Sequence, residues 1–281
     1  MTATLETIIG YPVPARPIIR FSWQTGPWFE VFERQVLLIQ DDLARALAGD
    51  RLVAYLSCPV SSRGGGHSGT NVAIAAHTAR RLTTALGDRF FVLNPASYQL
   101  ESAEGRTTLA RHAADLGLDL AELLAAAPPT GGDYMRMWTR VLVEDGDQQL
   151  GGRFDAVRLL GPSDVRDFFL AGGTGPLIPA IEEYFARRYA VDPDFRAAFD
   201  TAPPTDPRWE AKRTAFVRYY AVRAGAAYSL GSHDEWNIAV RLNAARVAAA
   251  GLGQQLALVF DGRQVPPGDA ERETSPGYEV L

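Results

Sequence analysis

"RLVAYLSCPVSSRGGGHSGTNVAIAAHTARRLTTALGDRFFVLNPA" occupies residues 51–96, and its punctuation decides the fold. The opening, 51–60, is a short apolar run ending at Pro59, which reads as a buried strand. A glycine- and serine-rich loop follows. Residues 71–87 then carry apolar side chains at helical spacing and stop at Gly87. "RFFVLNPA" (89–96) is a second strand, cut off by Asn94 and Pro95. Strand, helix and strand in this order make a βαβ unit, so the strands are expected to be parallel with a right-handed crossover.

The flanking sequence extends this pattern. Residues 1–27 are rich in proline and aromatics and read as an arm. Phe29, Phe32, Val36, Leu37 and Leu43 then give the spacing of an amphipathic helix closed by Gly49. Residues 106–127 read as one or two helices, 133–145 as another, and "FDAVRLLGP" (154–162) as a third strand. From 163 to 230 the pattern is mostly helical, with breaks near Pro193 and at "TAPPTDPRW". A helix from Ser232 to Ala250 and a strand at 254–262 follow. The polar, proline-rich tail 263–281 is expected to be mobile or wrapped on the surface. The whole reads as one α/β domain, 1–262, with a mostly parallel sheet and flanking helices. It carries an N-terminal arm and helix (1–50) and a helical insertion (163–227).

A chain of 281 residues with 47% hydrophobic and 22% charged residues can bury a sizeable core. Its formal net charge of −5 argues against a nucleic-acid partner. No segment approaches the roughly 18–20 apolar residues needed to span a bilayer, so no membrane partner is expected. The N-terminus lacks the pattern of a secretory signal. Cys58 is the single cysteine, which excludes an intrachain disulfide and fits a cytoplasmic location.

Open α/β sheets bind ligands at the carboxyl ends of their strands, so the strand-exit loops carry most weight. In "SCPVSSRGGGHSGTN" the glycines allow close backbone approach, and the hydroxyls can hold sugar or phosphate oxygens. The loop is neither a P-loop nor a clean GxGxxG. Its plain structural alternative is a surface loop whose Ser68 or Thr70 caps the next helix. "LAGGTGPLIPAIEE", with Gly172, Gly173 and Gly175, reads as an anion nest or simply as a turn between helices. Cys58 is an exposed nucleophile or a buried thiol. His67, His77, His112 and His233 lack ligand spacing, so neither a metal nor another cofactor is expected. Asp133 and Asp155 read as end-of-element acids, Asp133 favouring a helix dipole.

"LGSHDEWNIAVRL" (230–242) is the last candidate. Ser232 and Glu235 fit an S-x-x-E capping box. Glu235, Ile238, Ala239 and Leu242 also share one helical face, and if that face packs inward the carboxylate is partly desolvated.

Together these segments resemble the nucleoside 2-deoxyribosyltransferase family and its N-glycosidase relatives. "VAYLSCPVSS…GTNVAIAAHTARRL" is similar to the family's first strand, small-residue exit loop and helix. "FFVLNPASY" resembles its second strand, and "YSLGSHDEWNIAVRL" its Gly/Ser loop and E-x-G-x-A helix start. The likeness covers roughly 51–96, 131–162 and 228–262. It implies a flavodoxin-like sheet and a nucleoside or nucleotide substrate, with Glu235 as the nucleophile that forms a glycosyl-enzyme intermediate. The loop residues Ser57, Ser61, Gly65, Gly66 and Ser68, with Asn94 and Ser232, would hold the substrate. Two positions depart from the family pattern. Trp138 stands where the family has an acid, leaving Asp133, Asp145 or Asp147 to substitute and Trp138 free to stack on a planar ring. Asn237 stands where the family has glycine. The insertion is expected to close the pocket, a job the family often gives to a neighbouring subunit, and a homo-oligomer stays open.

Overall fold

A computed structural model of the chain describes residues 3–7, 19–24, 26–61, 66–100, 102–126, 128–145, 150–199, 207–250, 255–266, 272 and 278–280. Strands β1 (Ala3–Thr7) and β2 (Ile19–Gln24) precede helix α1 (Phe29–Ala48). The segment 51–96 then forms β3 (Leu52–Ser57), α2 (Ser68–Leu86) and β4 (Phe90–Leu93), the βαβ unit expected from its sequence. Next come α3 (Ala103–Leu116), α4 (Leu120–Ala126), α5 (Gly131–Val143) and β5 (Ala156–Leu159). The insertion supplies α6 (Pro162–Leu170), α7 (Leu177–Val191), α8 (Pro193–Ala198) and α9 (Pro207–Arg218), which runs into a π-helical turn, Tyr219–Arg223. Helix α10 (Leu230–Ala250) leads to β6 (Ala257–Phe260), β7 (Arg263–Val265) and finally β8 (Tyr278–Val280).

The main sheet has five strands in the order β4-β3-β5-β6-β7. The first three pairings are parallel, and β6–β7 is antiparallel. Counted within this sheet, the parallel strands run 2-1-3-4, so the chain reverses its direction of winding between β3 and β5. That point is where a crevice opens beyond the carboxyl ends of the strands. Every residue of β3 after Leu52 is buried, as a central strand with helices on both faces requires.

Two apolar clusters flank the sheet. Val53, Tyr55, Val157 and Leu159 pack with α1, α5 and α10. Cys58, Ile74 and Leu160 pack with an aromatic-rich cluster from the insertion, including Phe185, Phe195, Phe216 and Tyr220. Leu37, expected on the inward face of α1, is instead exposed, and Ile39 and Val31 take the buried positions.

The tail contributes structure that its composition hid. β7 hairpins onto β6 through Asp261 and Gly262, both at positive φ (50° and 77°), the conformation a two-residue hairpin turn needs. β8 pairs antiparallel with β2, which also pairs with β1, in a separate three-stranded sheet. No helix of the described residues is long and apolar enough to cross a membrane.

Candidate functional site

Helix α10 begins three residues earlier than the capping box required. Ser229 Oγ accepts the Ser232 N–H at 3.3 Å and caps the helix. Ser232 therefore sits inside the first turn, its Oγ buried without a partner among the described residues. Glu235 is thus not a capping residue. The expected capping box is replaced by a cap three residues upstream.

Released from that role, Glu235 points into the protein with Ile238, Ala239 and Leu242, all buried. Tyr55, on the central strand β3, donates a 2.5 Å hydrogen bond from its hydroxyl to Glu235 Oε1. Ser57 lies beside the same carboxylate and, like Tyr55, tempers its charge. Neither Ser57 Oγ nor Glu235 Oε2, however, meets hydrogen-bond geometry with a described residue. Burial dominates and, with the neighbouring Asp234 charge, pushes the Glu235 carboxyl up to about 7. One oxygen is anchored, and the other is unpartnered among the described residues.

Around this acid the strand exits converge. Cys58 follows β3, and its thiol is 3.9 Å from Asn94 Oδ1 at the end of β4. Burial and the Glu235 charge push the Cys58 thiol far up, which fits a buried thiol and not a nucleophile. Leu160 at the end of β5 donates its N–H to Ser57 O at 2.9 Å. Ser57 and Glu235 thus meet near the point where the winding reverses, whereas Asn94 caps the turn after β4, its Oδ1 accepting the Ala96 N–H at 3.1 Å and its Nδ2 donating to Ser97 Oγ at 3.2 Å.

Other expected site residues fall elsewhere. Asp133 closes a capping box at the start of α5: its carboxylate accepts the Thr130 N–H at 2.8 Å, and Thr130 Oγ1 accepts the Asp133 N–H at 3.2 Å. That role leaves its expected catalytic part without support. Trp138 is buried edge-on to Tyr55 and Tyr98, with centroids 5.8 and 6.1 Å away. It buttresses Tyr55 and does not offer a face to a ligand. Ser61 and Ser68 are exposed on the loop, while Gly65 lies outside the described residues. Gly66 is pressed against Tyr219 so closely that a Cβ there would stand 2.7 Å from the ring. His67, not Ser68 or Thr70, caps α2, its Nδ1 accepting the Thr70 N–H at 3.1 Å. Gly172 and Gly173 only end α6, with their N–H groups on Asp167 O and Leu170 O.

A cleft of about 10 Å³ remains between Pro59, Asn71, Leu160, Ala224 and Gly225, at the limit for one water. An open groove of about 460 Å³ lies instead along the edge strand, lined by Asp42, Arg45, Arg51, Phe91 and Tyr98. There Arg45 and Tyr98 both bond Asp42, so its polar groups largely satisfy one another. The buried acid is the stronger mark of chemistry than the wider groove. Among the described residues no three His, Cys, Asp or Glu side chains gather as a metal site.

The fold and site define an open α/β protein with a buried, tyrosine-anchored glutamate at the topological switch point. Comparison with protein-family models, curated proteins and solved structures gives no match to this chain.

Proposed function

We propose that this chain cleaves an N-glycosidic bond, by transfer or hydrolysis, in a nucleoside, nucleotide or related sugar conjugate. The observation that carries this reading is the Glu235 carboxylate, held by Tyr55 of β3 beside Ser57 at that strand's carboxyl end and raised to about 7. In its ionised form Oε2 attacks the anomeric carbon as the C–N bond breaks. The base leaves with that electron pair and takes a proton from water. A second base or a water then displaces the glutamate and restores it. Developing positive charge on the sugar favours the ionised carboxylate in a site that otherwise disfavours it. In this reading Ser57, beside the carboxylate, meets a sugar hydroxyl.

The test is release of free base from a panel of nucleosides and nucleotides by wild type and Glu235→Gln. Turnover by the wild type alone supports the reading, and equal rates remove Glu235 as nucleophile. A second reading, a binding module without chemistry, draws on the near-closed cleft and the capping role of Asp133. Tight binding without turnover, unchanged in Glu235→Gln, would favour it.

A further inference from the structure

The cover over the strand exits is one short segment of the insertion. Helix α9 widens into the π-turn Tyr219–Arg223, and the chain then crosses the end of β5 as Ala224–Gly225–Ala226. Local π geometry often marks places where a helix is adapted for function. One end of this crossing is anchored by Tyr220, whose hydroxyl accepts the His67 N–H at 3.0 Å and donates to Asn71 Oδ1 at 2.8 Å. The other end is held by two backbone bonds among the described residues, Ala226 N–H to Leu160 O at 2.8 Å and Tyr228 N–H to Gly225 O at 3.2 Å. Between the anchors Val222 and Arg223 are exposed, and Gly225 has φ +152°, a backbone state that side chains disfavour. Beneath the segment lie the 10 Å³ cleft and Cys58, which shares the apolar cluster of Tyr219 and Ala224. Leu160, whose carbonyl holds Ala226, donates its own N–H to Ser57 O at 2.9 Å, and Ser57 lies beside the Glu235 carboxylate.

We infer that Ala221–Gly225 is a gate, hinged at Gly225 between the Tyr220 and Ala226 anchors, that swings off the ends of β3 and β5 to admit a ligand to Glu235. This rests on the proposed reading of Glu235 as the reacting group. A sealed site must open locally if the carboxylate is to meet a sugar, and such openings lie below the free energy of global unfolding.

Cys58, as the only cysteine, reports the opening without reference to activity. Alkylation of the intact chain by iodoacetamide, followed by mass spectrometry across a urea series, separates local from global exposure. The gate gives a labelling rate nearly independent of urea at low concentration, bending into a steep limb near global unfolding. Gly225→Ala strains the closed backbone and is expected to raise the flat limb about tenfold. Leu142→Ala, in the other apolar cluster, is expected to raise only the steep limb. A wild-type rate that follows global unfolding down to zero urea overturns the gate, as does an equal rise of the flat limb in both variants. Base release is scored separately, so a working gate without turnover tells against the glycosidase reading alone.

Discussion

Tyr55 and Glu235, 180 positions apart in sequence, are joined by a 2.5 Å hydrogen bond between the middle of the central strand and the second turn of α10. The bond sets both the position of the carboxylate and its charge state. Removing the donor by Tyr55→Phe keeps the ring against Trp138 and Phe154, so packing is retained and stability falls only by what the lost bond contributes. A hydrogen bond to an ionised group contributes about 1.5–3 kcal/mol, so base release at neutral pH is expected to fall about ten- to hundredfold. In wild type, activity rises with pH as Glu235 ionises, with its midpoint near about 7. In Tyr55→Phe that midpoint moves higher, because the bond favoured the anion. A midpoint that stays put in a pH–rate comparison removes Tyr55 from this role.

Glu235 also leaves a mark on stability. Its carboxyl is raised from an ordinary 4.5 to about 7 in the folded chain, so between those values the folded state holds more protons than the unfolded one. Stability is therefore greatest below the lower value and is lost as pH rises through about 7. Glu235→Gln does not titrate, and it is expected to be the more stable form at pH 8, by up to on the order of 3 kcal/mol. The advantage shrinks as pH falls toward 5. Urea unfolding at both pH values measures it, and a pH-independent difference would contradict the buried anion.

Much of this arrangement was legible from spacing, and the failures have definite causes. The βαβ unit at 51–96 declared itself because apolar runs, a glycine stop and Asn-Pro punctuation all agree. Glu235 was found because i, i+3, i+4 and i+7 residues share a face. Its partner Tyr55 was missed, since in a strand buried on both sides no alternation distinguishes the residue facing α10. The helix start was misplaced because Ser229 and Ser232 are equally good caps in sequence, and only the path after Gly225 selects the first. β7 did have a signal: Asp261-Gly262 after an apolar strand is a hairpin turn. β8 had none, because its partner β2 lies at the other end of the chain.

The capping box of α5 has a distinctive signature. Thr130→Val and Asp133→Ala each remove one half of a reciprocal pair, at about 1 kcal/mol apiece. Because each half depends on the other, the double variant is expected to lose clearly less than the sum. Additive losses would mean that the two side chains act separately. Loss of turnover in Asp133→Asn at unchanged stability would return that residue to catalysis.

Asn237 ties the outer side of α10 to the tail. Residues 234–240 are all buried, yet the sheet can cover only the face that carries Glu235, Ile238 and Ala239. Helix α5 also packs on α10, and Arg272 lies against Asn237 and Trp236. Asn237 donates from Nδ2 to Arg272 O at 2.9 Å and accepts the Arg272 N–H at 2.7 Å, and the Arg272 guanidinium lies 4.7 Å over the Trp236 ring. The asparagine that stands where the resembled family has glycine is thus a clamp on the chain's own tail. Asn237→Ala leaves two backbone groups without their partner and is expected to cost about 1–3 kcal/mol. It is also expected to speed proteolytic cleavage of the tail several-fold. Asn237→Asp keeps the acceptor for Arg272 N–H but sets a charge against Arg272 O, so it should rescue neither property fully. Equal cleavage rates in wild type and Asn237→Ala would show that β8 pairing alone holds the tail.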